Sequence, residues 1–461
     1  MVEIKGSSWQ QRYSAERIFT LRCRIADRCG MLGRVTTAIG ECGANLGEIK
    51  LVALEGAYKI RDITIFLKDV EQLERVIGSI NKLADVEVIG VTDEVLQTHH
   101  RGSIEIVSRA KIRTLTDLRM VYTPGVALAC EQIAERPASA WELTGICDRV
   151  AIVTNGTAVL GLGDIGPLAS LPVMEGKASI MAELVDVSGF PILIDSKEPD
   201  VFVETVARIS KGFGAIQLED VAAPACFEIE EKLNRRLDVP VFHDDQHGTA
   251  TVVLAALINA LKQTNKDASK CSALILGCGA AGIAVSKMLL EYGVGDIVVY
   301  DSKGPVYRGR SENMNPYKQQ LAEMTNKNNQ KGTLAQGFVG KDIFIGLSRP
   351  NMVTPEMVRS MAAEPIVLPL ANPVGEISKE QAAEAGAAVC ADGRDINNAL
   401  AYPGIFRGAL DARATEVTME MKVAAAKRLA ELAPQGMLLP DILNRQVHAE
   451  VAQAVAEAWR G

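Results

Sequence analysis

Apolar and polar residues alternate over the first part of the chain in a pattern that predicts a small unit at residues 17–93. Residues 18–25 alternate like a strand, and residues 31–42 have the apolar spacing of a helix that Gly43 closes. The same segment continues with two strands, a helix and a last strand, at residues 45–53, 57–67, 70–83 and 86–91. The pattern therefore predicts the order β-α-β-β-α-β.

This order is that of the ferredoxin-like supersecondary plan. A turn with Gly30 and Gly33 joins its first strand to its first helix. In the turn and the element order, the segment resembles the small-molecule-sensing ACT domain. The resemblance implies a regulatory domain over residues 1–93 that binds a small-molecule effector near Gly30 and Gly33. A module that only mediates oligomerisation is the alternative.

A polar connection, residues 94–116, leads into a region where strands and helices alternate. Each predicted strand precedes a helical stretch, and the strands lie at residues 150–154, 191–195, 215–218 and 240–243. Such alternation is typical of a largely parallel sheet with helices on both faces. We therefore expect an α/β catalytic domain over residues 117–268.

A second α/β domain is expected over residues 269–412. Its first strand, residues 271–276, runs into a glycine-rich turn and a helix, and the next strand ends at Asp301. Later strands are expected at residues 342–345, 365–370 and 387–391. The polar segment 311–332 is expected to be a surface excursion. Apolar helices in residues 413–461 are expected to pack back on the first α/β domain.

Two pairs of acidic residues follow predicted strands. Glu219 and Asp220 come after one strand, and Asp244 and Asp245 come between another strand and a long apolar helix. The carboxyl ends of parallel strands meet at one edge of a sheet, where ligands bind. Carboxylate oxygens suit a hard divalent cation, so the pairs are a candidate metal site. The alternative is that they cap helices and interact with helix dipoles.

Two glycine loops match the pattern Gly-x-Gly-x-x-Gly. The first, residues 161–166, contains Asp164, whose charge would repel a pyrophosphate, so this loop is expected to border the substrate cleft. The second has small neutral residues at its variable positions and is followed by an acid at the end of an apolar strand. We assign the cofactor to Gly277, Gly279, Ala280, Ala281, Gly282 and Asp301.

Asp301 favours NAD because a carboxylate leaves no room or charge balance for a 2′-phosphate. The nearby Lys303, Arg308 and Arg310 weaken this argument and leave NADP as an alternative.

The charge and composition of the chain argue against some classes of binding partner. The net charge of -8 and the lack of a strong basic run argue against nucleic-acid binding. No apolar run reaches the roughly 18 residues of a membrane span. The nine cysteines form no Cys-x-x-Cys pair and the first residues lack the apolar segment of a signal peptide, so a cytoplasmic protein with reduced thiols is expected.

Taken together, these motifs resemble the malic enzymes of the compact bacterial type. The matching stretches fall within residues 110–430 and are residues 122–127, 161–167, 172–177, 218–220, 242–250, 371–373, 397–398 and 403–408. The resemblance implies oxidative decarboxylation of (S)-malate to pyruvate and CO2 by a homodimer or higher homo-oligomer, with NAD or NADP and with Mg2+ or Mn2+.

The resemblance also assigns roles to individual residues. Tyr122 takes the general-acid role, and Lys177 takes the general-base role and contacts substrate. A lysine acts as a base only if its pKa is lowered, which burial and a nearby cation can do. The metal ligands are Glu219, Asp220 and Asp245, with Asp244 beside the metal. Asn372 and Asn398 fall where the family contacts the substrate or, for Asn372, the nicotinamide end.

The sequence departs from the family pattern before the second of these asparagines, where residues 390–398 are a shorter run than usual. His243 and His247 do not form the His-Glu-x-x-His pattern of zinc proteases and are expected to be structural. Two other functions remain open. One is a malolactic enzyme that keeps its dinucleotide bound and releases lactate. The other is a non-catalytic regulatory protein that binds an effector.

Overall fold

A computed structural model describes residues 17–159, 161–372 and 374–460. Residues 1–16, which the predicted regulatory domain and the signal-peptide argument include, lie outside the described residues. The chain divides into two compact units, with the boundary between Ser103 and Ile104. This boundary falls within the predicted connection 94–116, while the finer boundaries at 268/269 and 412/413 stay predictions.

The first unit has the predicted order of elements. They are β1 (Arg17–Ala26), α1 (Met31–Glu41), β2 (Asn45–Glu55), β3 (Tyr58–Leu67), α2 (Val70–Asn81), β4 (Val86–Asp93) and a short α3 (Glu94–Thr98). The strands form an antiparallel sheet in the order β2-β3-β1-β4. In its register Leu21 of β1 lies between Ile63 of β3 and Val91 of β4. The ferredoxin-like plan is confirmed.

The core of this unit lies between the sheet and its two longer helices. Alternate residues of β1, among them Phe19 and Leu21, are fully buried, and they pack with Val35 of α1 and Val76 of α2. The period of two in the strand therefore matches burial on one face. The edge strand β2, in contrast, is largely exposed.

The second unit begins with exposed helices and then builds a four-stranded parallel sheet. The helices and strands are α4 (Leu115–Val121), α5 (Val126–Glu135), α6 (Ala140–Leu143), β5 (Arg149–Thr154), α7 (Pro167–Val185), β6 (Ser188–Leu193), α8 (Pro199–Ile209), β7 (Ala215–Leu218), α9 (Ala225–Arg236), β8 (Val241–His243) and α10 (Asp244–Gln263). The strand order is β6-β5-β7-β8. All three pairings are parallel, as the alternation predicts.

A six-stranded sheet follows in the order β11-β10-β9-β12-β13-β14. Its elements are β9 (Ser272–Leu276), α11 (Ala280–Tyr292), β10 (Asp296–Asp301), β11 (Gly304–Pro305), α12 (Pro316–Met324), α13 (Leu334–Phe338), β12 (Ile343–Gly346), α14 (Pro355–Arg359), β13 (Ile366–Pro369), α15 (Lys379–Glu384) and β14 (Val389–Cys390). Only the short β11 pairs antiparallel. This is the doubly wound arrangement expected for a dinucleotide-binding domain.

Three helices end the chain: α16 (Tyr402–Asp411), α17 (Met419–Leu432) and α18 (Arg445–Ala458). They contact α7 and α10 of the first α/β sheet, and their apolar residues join its core. The prediction that the C-terminal helices pack back is confirmed. No helix in the described part of the chain combines the length and apolar character that a membrane crossing requires.

The segment 311–332 differs from the predicted surface excursion. It contains α12, and Lys318, Thr325 and Asn326 are buried. The Asn326 amide donates to the carbonyl of Val306 at 3.0 Å, and Lys318 pairs with Asp301. Most of the segment is nevertheless exposed, as predicted, and the prediction fails only at these buried polar residues, whose hydrogen bonds satisfy them.

Candidate active site

The two predicted acidic pairs meet at the carboxyl edge of the four-stranded sheet. Glu219 and Asp220 follow β7, while Asp244 and Asp245 occupy the first turn of α10 directly after β8. Because β7 and β8 are parallel neighbours, both pairs lie at the same edge. One carboxylate oxygen from each of Glu219, Asp220 and Asp245 lies within 4.8 Å of the others.

Burial and mutual repulsion destabilise the negative charges of these three carboxylates. Burial, followed by the neighbouring acids, raises the pKa of Asp220 to about 9, and burial raises those of Glu219 to about 7 and Asp245 to about 6. The Asp220 Oδ2 atom is buried without a hydrogen bond among the described residues. Three close oxygens, one of them unsatisfied, fit a divalent cation.

The backbone also brings two of these acids together. Asp220 adopts a left-handed conformation with φ of 54°, which Asp tolerates better than most residues. Its N–H donates to Asp245 Oδ2 at 2.9 Å. The turn after β7 is thus tied to the first turn of α10.

Lys177 of α7 reaches this cluster. Its Nζ lies 2.9 Å from Glu219 Oε1 and 2.5 Å from Asp244 Oδ2. Asn398 also donates to Asp244 Oδ2, at 2.8 Å. The structure therefore brings together Lys177, Asp244 and Asn398, whereas Asp245 contacts Asp220. The different roles expected for Asp244 and Asp245 stay predictions.

A lysine that acts as a base needs a lowered pKa, and the protein groups around Lys177 do not provide one. Burial alone would lower it, but the carboxylates of Asp244 and Glu219 outweigh burial and raise the pKa well above its ordinary value. The protein groups by themselves therefore keep Lys177 protonated, contrary to the expected lowering.

Two residues near Lys177 and Asp244 were missed in the sequence. The fully buried Tyr402 donates to the Lys177 carbonyl at 3.4 Å, and its ring centre lies 4.6 Å from Lys177 Nζ. A Cβ added to Gly248 would lie 1.8 Å from Asp244 Oδ1, so only glycine fits there. Both lie within or directly beside the quoted motifs, but neither residue type suggested such contacts.

Tyr122, in contrast to Lys177 and the acids, has an exposed side chain. It follows α4 and is 68 % exposed. No described hydrogen bond or ion pair connects it to Lys177 or the acids. The structure of one chain thus does not bring the predicted general acid into this bonded cluster.

Glu230 of α9 accepts hydrogen bonds from residues at the start of α10 and just before it. Its carboxylate accepts from the His243 N–H at 2.9 Å, from Gln246 Nε2 at 3.0 Å and from His247 Nε2 at 3.0 Å. Although burial opposes its charge, His247 and the other donors lower the pKa of Glu230 to about 2. The His247 ring thus belongs to the Glu230 network, whereas the His243 ring lies 3.3 Å from Asp245 Oδ2, beside the clustered acids. The structural role expected for the two histidines stays a prediction.

The second glycine loop forms the tight turn between β9 and α11. Gly277 has φ of 121°, and a Cβ there would lie 2.3 Å from the Leu347 carbonyl oxygen. A Cβ on Gly282 would lie 1.9 Å from the Gly277 carbonyl oxygen. Gly279 precedes the first helical residues, Ala280 and Ala281. The turn therefore presents the start of α11 as a phosphate-binding loop does.

Asp301 ends β10 as predicted, but its carboxylate is already engaged. Arg310 donates to both of its oxygens at 2.7 and 2.8 Å, and Lys318 lies at 2.7 Å. Asn313 and the Lys303 N–H also donate, at 3.0 and 2.8 Å. Any hydrogen bond from a ribose hydroxyl must share oxygens that these groups hold.

The first glycine loop lies next to the acids. The backbone N–H groups of Thr157 and Ala158 donate to the Asp220 carbonyl, and Gly156 accepts from Gly166. Asp164 pairs with the exposed Lys197. Among the described residues, Asn372, at the carboxyl end of β13, has no recorded hydrogen bond through its side chain. Its substrate and cofactor roles stay predictions.

A parallel sheet with a carboxylate and lysine cluster, followed by a doubly wound sheet with a glycine turn, defines a dinucleotide-dependent oxidoreductase of the α/β class. Comparison with known protein families shows which family of oxidoreductases the chain belongs to. The chain matches the malic enzyme N-terminal domain at residues 101–199, the malic enzyme NAD binding domain at residues 246–396 and 390–459, and the ACT domain at residues 14–90. The chain belongs to the malic enzyme family.

Individual relatives of the chain are also described as malic enzymes. The chain is 44% identical to an NAD-dependent malic enzyme of Geobacillus stearothermophilus, over 95% of this chain and 94% of the relative. It is 46% identical to a bifunctional malic/malolactic enzyme of Bacillus subtilis, over 80% of this chain and 93% of the relative.

A solved malic enzyme structure from Pyrococcus horikoshii is also similar, with a TM-score of 0.76 and 42% identity over 79% of this chain and 89% of that one. A solved NAD-dependent malic enzyme of Thermotoga maritima gives the same TM-score at 39% identity, over 78% of this chain and 98% of that one.

Proposed function

We propose that this chain is an NAD-dependent malic enzyme that oxidises (S)-malate and releases pyruvate and CO2. The observation that carries the proposal is Lys177 bonded to Glu219 and Asp244 beside the three clustered carboxylates. Membership of the family and the NAD-dependent relatives support the same reaction. Hydride leaves C2 of malate for the nicotinamide, and the C3–C4 carboxylate bond then breaks.

Glu219, Asp220 and Asp245 would hold a divalent cation, Mg2+ or Mn2+. When bound, such a cation supplies Lewis-acid polarisation of the malate C2 oxygen and of the enolate oxygen left after CO2 departs. The raised pKa values of the three acids support this assignment, because a nearby positive charge would stabilise their ionised forms.

Lys177 Nζ would accept the proton of the C2 hydroxyl. For that it must first lose a proton, and Asp244 Oδ2 at 2.5 Å is the acceptor in place to take it. Asn398 holds the same oxygen, and Tyr402 holds the Lys177 backbone. We infer that Asp244, Asn398 and Tyr402 keep the lysine directed at the metal acids.

Tyr122 would return a proton to C3 of the enol. In the single chain it is exposed, and the segments before and after it also expose the apolar side chains of Ile106, Val107, Leu115, Met120 and Leu128. An apolar surface of this kind is usually covered by a partner. We therefore propose a homo-oligomer, a dimer or larger, in which this surface is buried and Tyr122 enters the active site of a neighbouring copy.

A malolactic reaction is the second candidate, since one relative is a bifunctional malic/malolactic enzyme. Purified protein with malate, NAD+ and Mn2+ distinguishes the two. We expect NADH and pyruvate to appear in equal amounts. Lactate without net NADH would replace this proposal with the malolactic one, and no turnover would favour the non-catalytic effector-binding protein.

The first unit is proposed to bind a small-molecule effector at the turn before α1. Gly30 ends this turn with φ of 84°, and Gly33 lies in the first helical turn of α1; a Cβ built on either glycine would have open space within 4 Å. A metabolite panel added to the full chain should change malate kinetics and shift the spectra of these glycines. No response to any metabolite would favour the oligomerising module.

The nine free cysteines support a cytoplasmic location, where thiols stay reduced.

A further inference from the structure

A cavity of about 240 Å3 lies between α9, β8, α10 and α17. Its walls include Asn234 and Arg235 of α9, Phe242 of β8, His247 of α10 and Lys422 of α17. None of these residues has a role in the proposed reaction. The cavity has room for about eight waters at roughly 30 Å3 each, enough for a small ion.

Lys422 is the unusual member of this wall. It is only 8 % exposed. Its Nζ has His247 Nδ1 as a partner at 3.4 Å, and no described carboxylate lies within the 4.0 Å of an ion pair. Buried charges in proteins are normally paired directly. Two of its three ammonium protons are therefore without a recorded acceptor among the described residues.

The acidic residues of the wall do not pair directly with Lys422, although the charge of Glu230 acts on it at longer range. Glu230 directs its oxygens to His243, Gln246 and His247. The His247 Nε2–H that donates to Glu230 leaves Nδ1 as the acceptor for Lys422, so the imidazole is neutral in this arrangement. Glu231 pairs with Arg235 at 3.9 Å on the exposed rim. The wall thus offers the Lys422 ammonium, the Asn234 amide and the Arg235 guanidinium as donors, while its two carboxylates, Glu230 and Glu231, have other partners.

We propose that this cavity is a binding site for a small oxyanion, which pairs with the Lys422 ammonium and hydrogen bonds with Asn234 and Arg235. The ligand class is a phosphate or a short carboxylate, because both supply several acceptors around one negative group. The site is separate from the carboxylate cluster, which repels anions, and is connected to it through His247 and Glu230.

Inorganic phosphate is the probe for this site. The full chain is kept free of divalent metal and saturated with NAD+, so that the glycine loop is occupied, and phosphate binding is followed by 31P NMR titration. We expect saturable binding that Lys422→Met weakens at least tenfold. Replacing a buried charge by an apolar side chain of similar size is well tolerated in many proteins, so this variant is expected to fold.

Two further variants distinguish binding in this cavity from the effect of losing any positive charge on the protein. Lys427→Met removes an exposed lysine from the same helix and should leave phosphate binding unchanged. Asn234→Asp places a negative charge at the exposed rim without touching the core and should also weaken binding, which tests the site even if Lys422→Met unfolds. Absence of saturable binding to the wild type, or equal affinity in the Asn234→Asp and Lys427→Met variants, would overturn the proposal. The measurement needs no turnover, so it is independent of the proposed reaction.

Discussion

At the scale of single residues, the position of Lys177 between two carboxylates dominates the site. Glu219 is one of the three candidate metal ligands and Asp244 is not, yet both contact the same ammonium. Glu219 and Asp244 both stabilise the protonated form of Lys177. A cation bound to Glu219 would compensate its negative charge and so weaken one of these two interactions. The lysine and the metal acids are therefore coupled electrostatically.

Lys177→Ala should abolish most malate turnover while leaving the metal acids in place. Loss of a general base typically costs about 10²–10⁴-fold in rate. Turnover is followed by NADH formation, and Mn2+ binding is measured separately by EPR. Lys211→Ala, which removes an 88 % exposed lysine 3.9 Å from the exposed Asp238, is the control and should retain turnover. Unchanged turnover in Lys177→Ala would remove this residue from the base role.

Asp245→Asn should weaken divalent-metal binding by at least about tenfold, or about 1.4 kcal/mol. The reason is that the variant loses one of three charges within 4.8 Å of one another. Mn2+ titration in the absence of malate gives the affinity directly. Asp238→Asn changes a fully exposed acid near Lys211 and serves as the control. An affinity equal to the control would exclude Asp245 from the ligand set.

At the scale of secondary structure elements, each α/β sheet places its functional groups on the turn after a strand. The turn after β8 begins α10 with two acids, and the turn after β9 begins α11 with glycines. The strand β10 ends at an acid that the following segment, including α12, then encloses. The same topological position thus carries the candidate metal ligands in one sheet and the glycine turn proposed to bind phosphate in the other.

Asp301→Ala should destabilise the protein as well as affect dinucleotide binding. It leaves the buried Arg310 and Lys318 without their shared carboxylate, and breaking a buried pair typically costs about 3–5 kcal/mol. Chemical denaturation measures this loss. Asp164→Ala breaks an exposed pair and should cost no more than about 1 kcal/mol. Equal stability of the two variants would show that the ion pairs at Asp301 contribute little.

At the scale of the whole molecule, the exposed position of Tyr122 bears on how many chains form one active site. Lys177 is enclosed by its own chain, whereas Tyr122 lies on the exposed surface of the single chain. If the surface is buried between copies, the two catalytic residues come from different chains. Assembly would then be a condition for activity.

Mixing two inactive variants tests this arrangement. Tyr122→Phe supplies an intact Lys177, and Lys177→Ala supplies an intact Tyr122. Subunit exchange between them should restore part of the wild-type turnover, because hybrid assemblies contain one complete site. Each variant alone, taken through the same exchange, is the control. No recovery in hybrids that sedimentation shows to have formed would place Tyr122 and Lys177 in the same chain.

Much of the fold could be predicted from the sequence because its signals are local. The alternation of apolar residues located β1 to β4, and the strand and helix alternation indicated both parallel sheets. The two acidic pairs and the second glycine loop were also predictable, since strand ends in parallel sheets share an edge. The polar segment 311–332 is largely exposed, as its polarity predicts, but the burial of Lys318, Thr325 and Asn326 could not be predicted because it depends on partners elsewhere in the fold.

The sequence by itself determined the order of elements, the family resemblance and the set of candidate acids. Only the tertiary structure decided which of these groups touch: Lys177 meets Asp244 from 67 positions away, and Asn398 meets it from 154. It also decided that Arg310 and Lys318 occupy Asp301, and that Tyr122 is exposed in one chain. The physical reason is that such contacts, and the pKa values they set, depend on how distant segments pack, which no local pattern encodes.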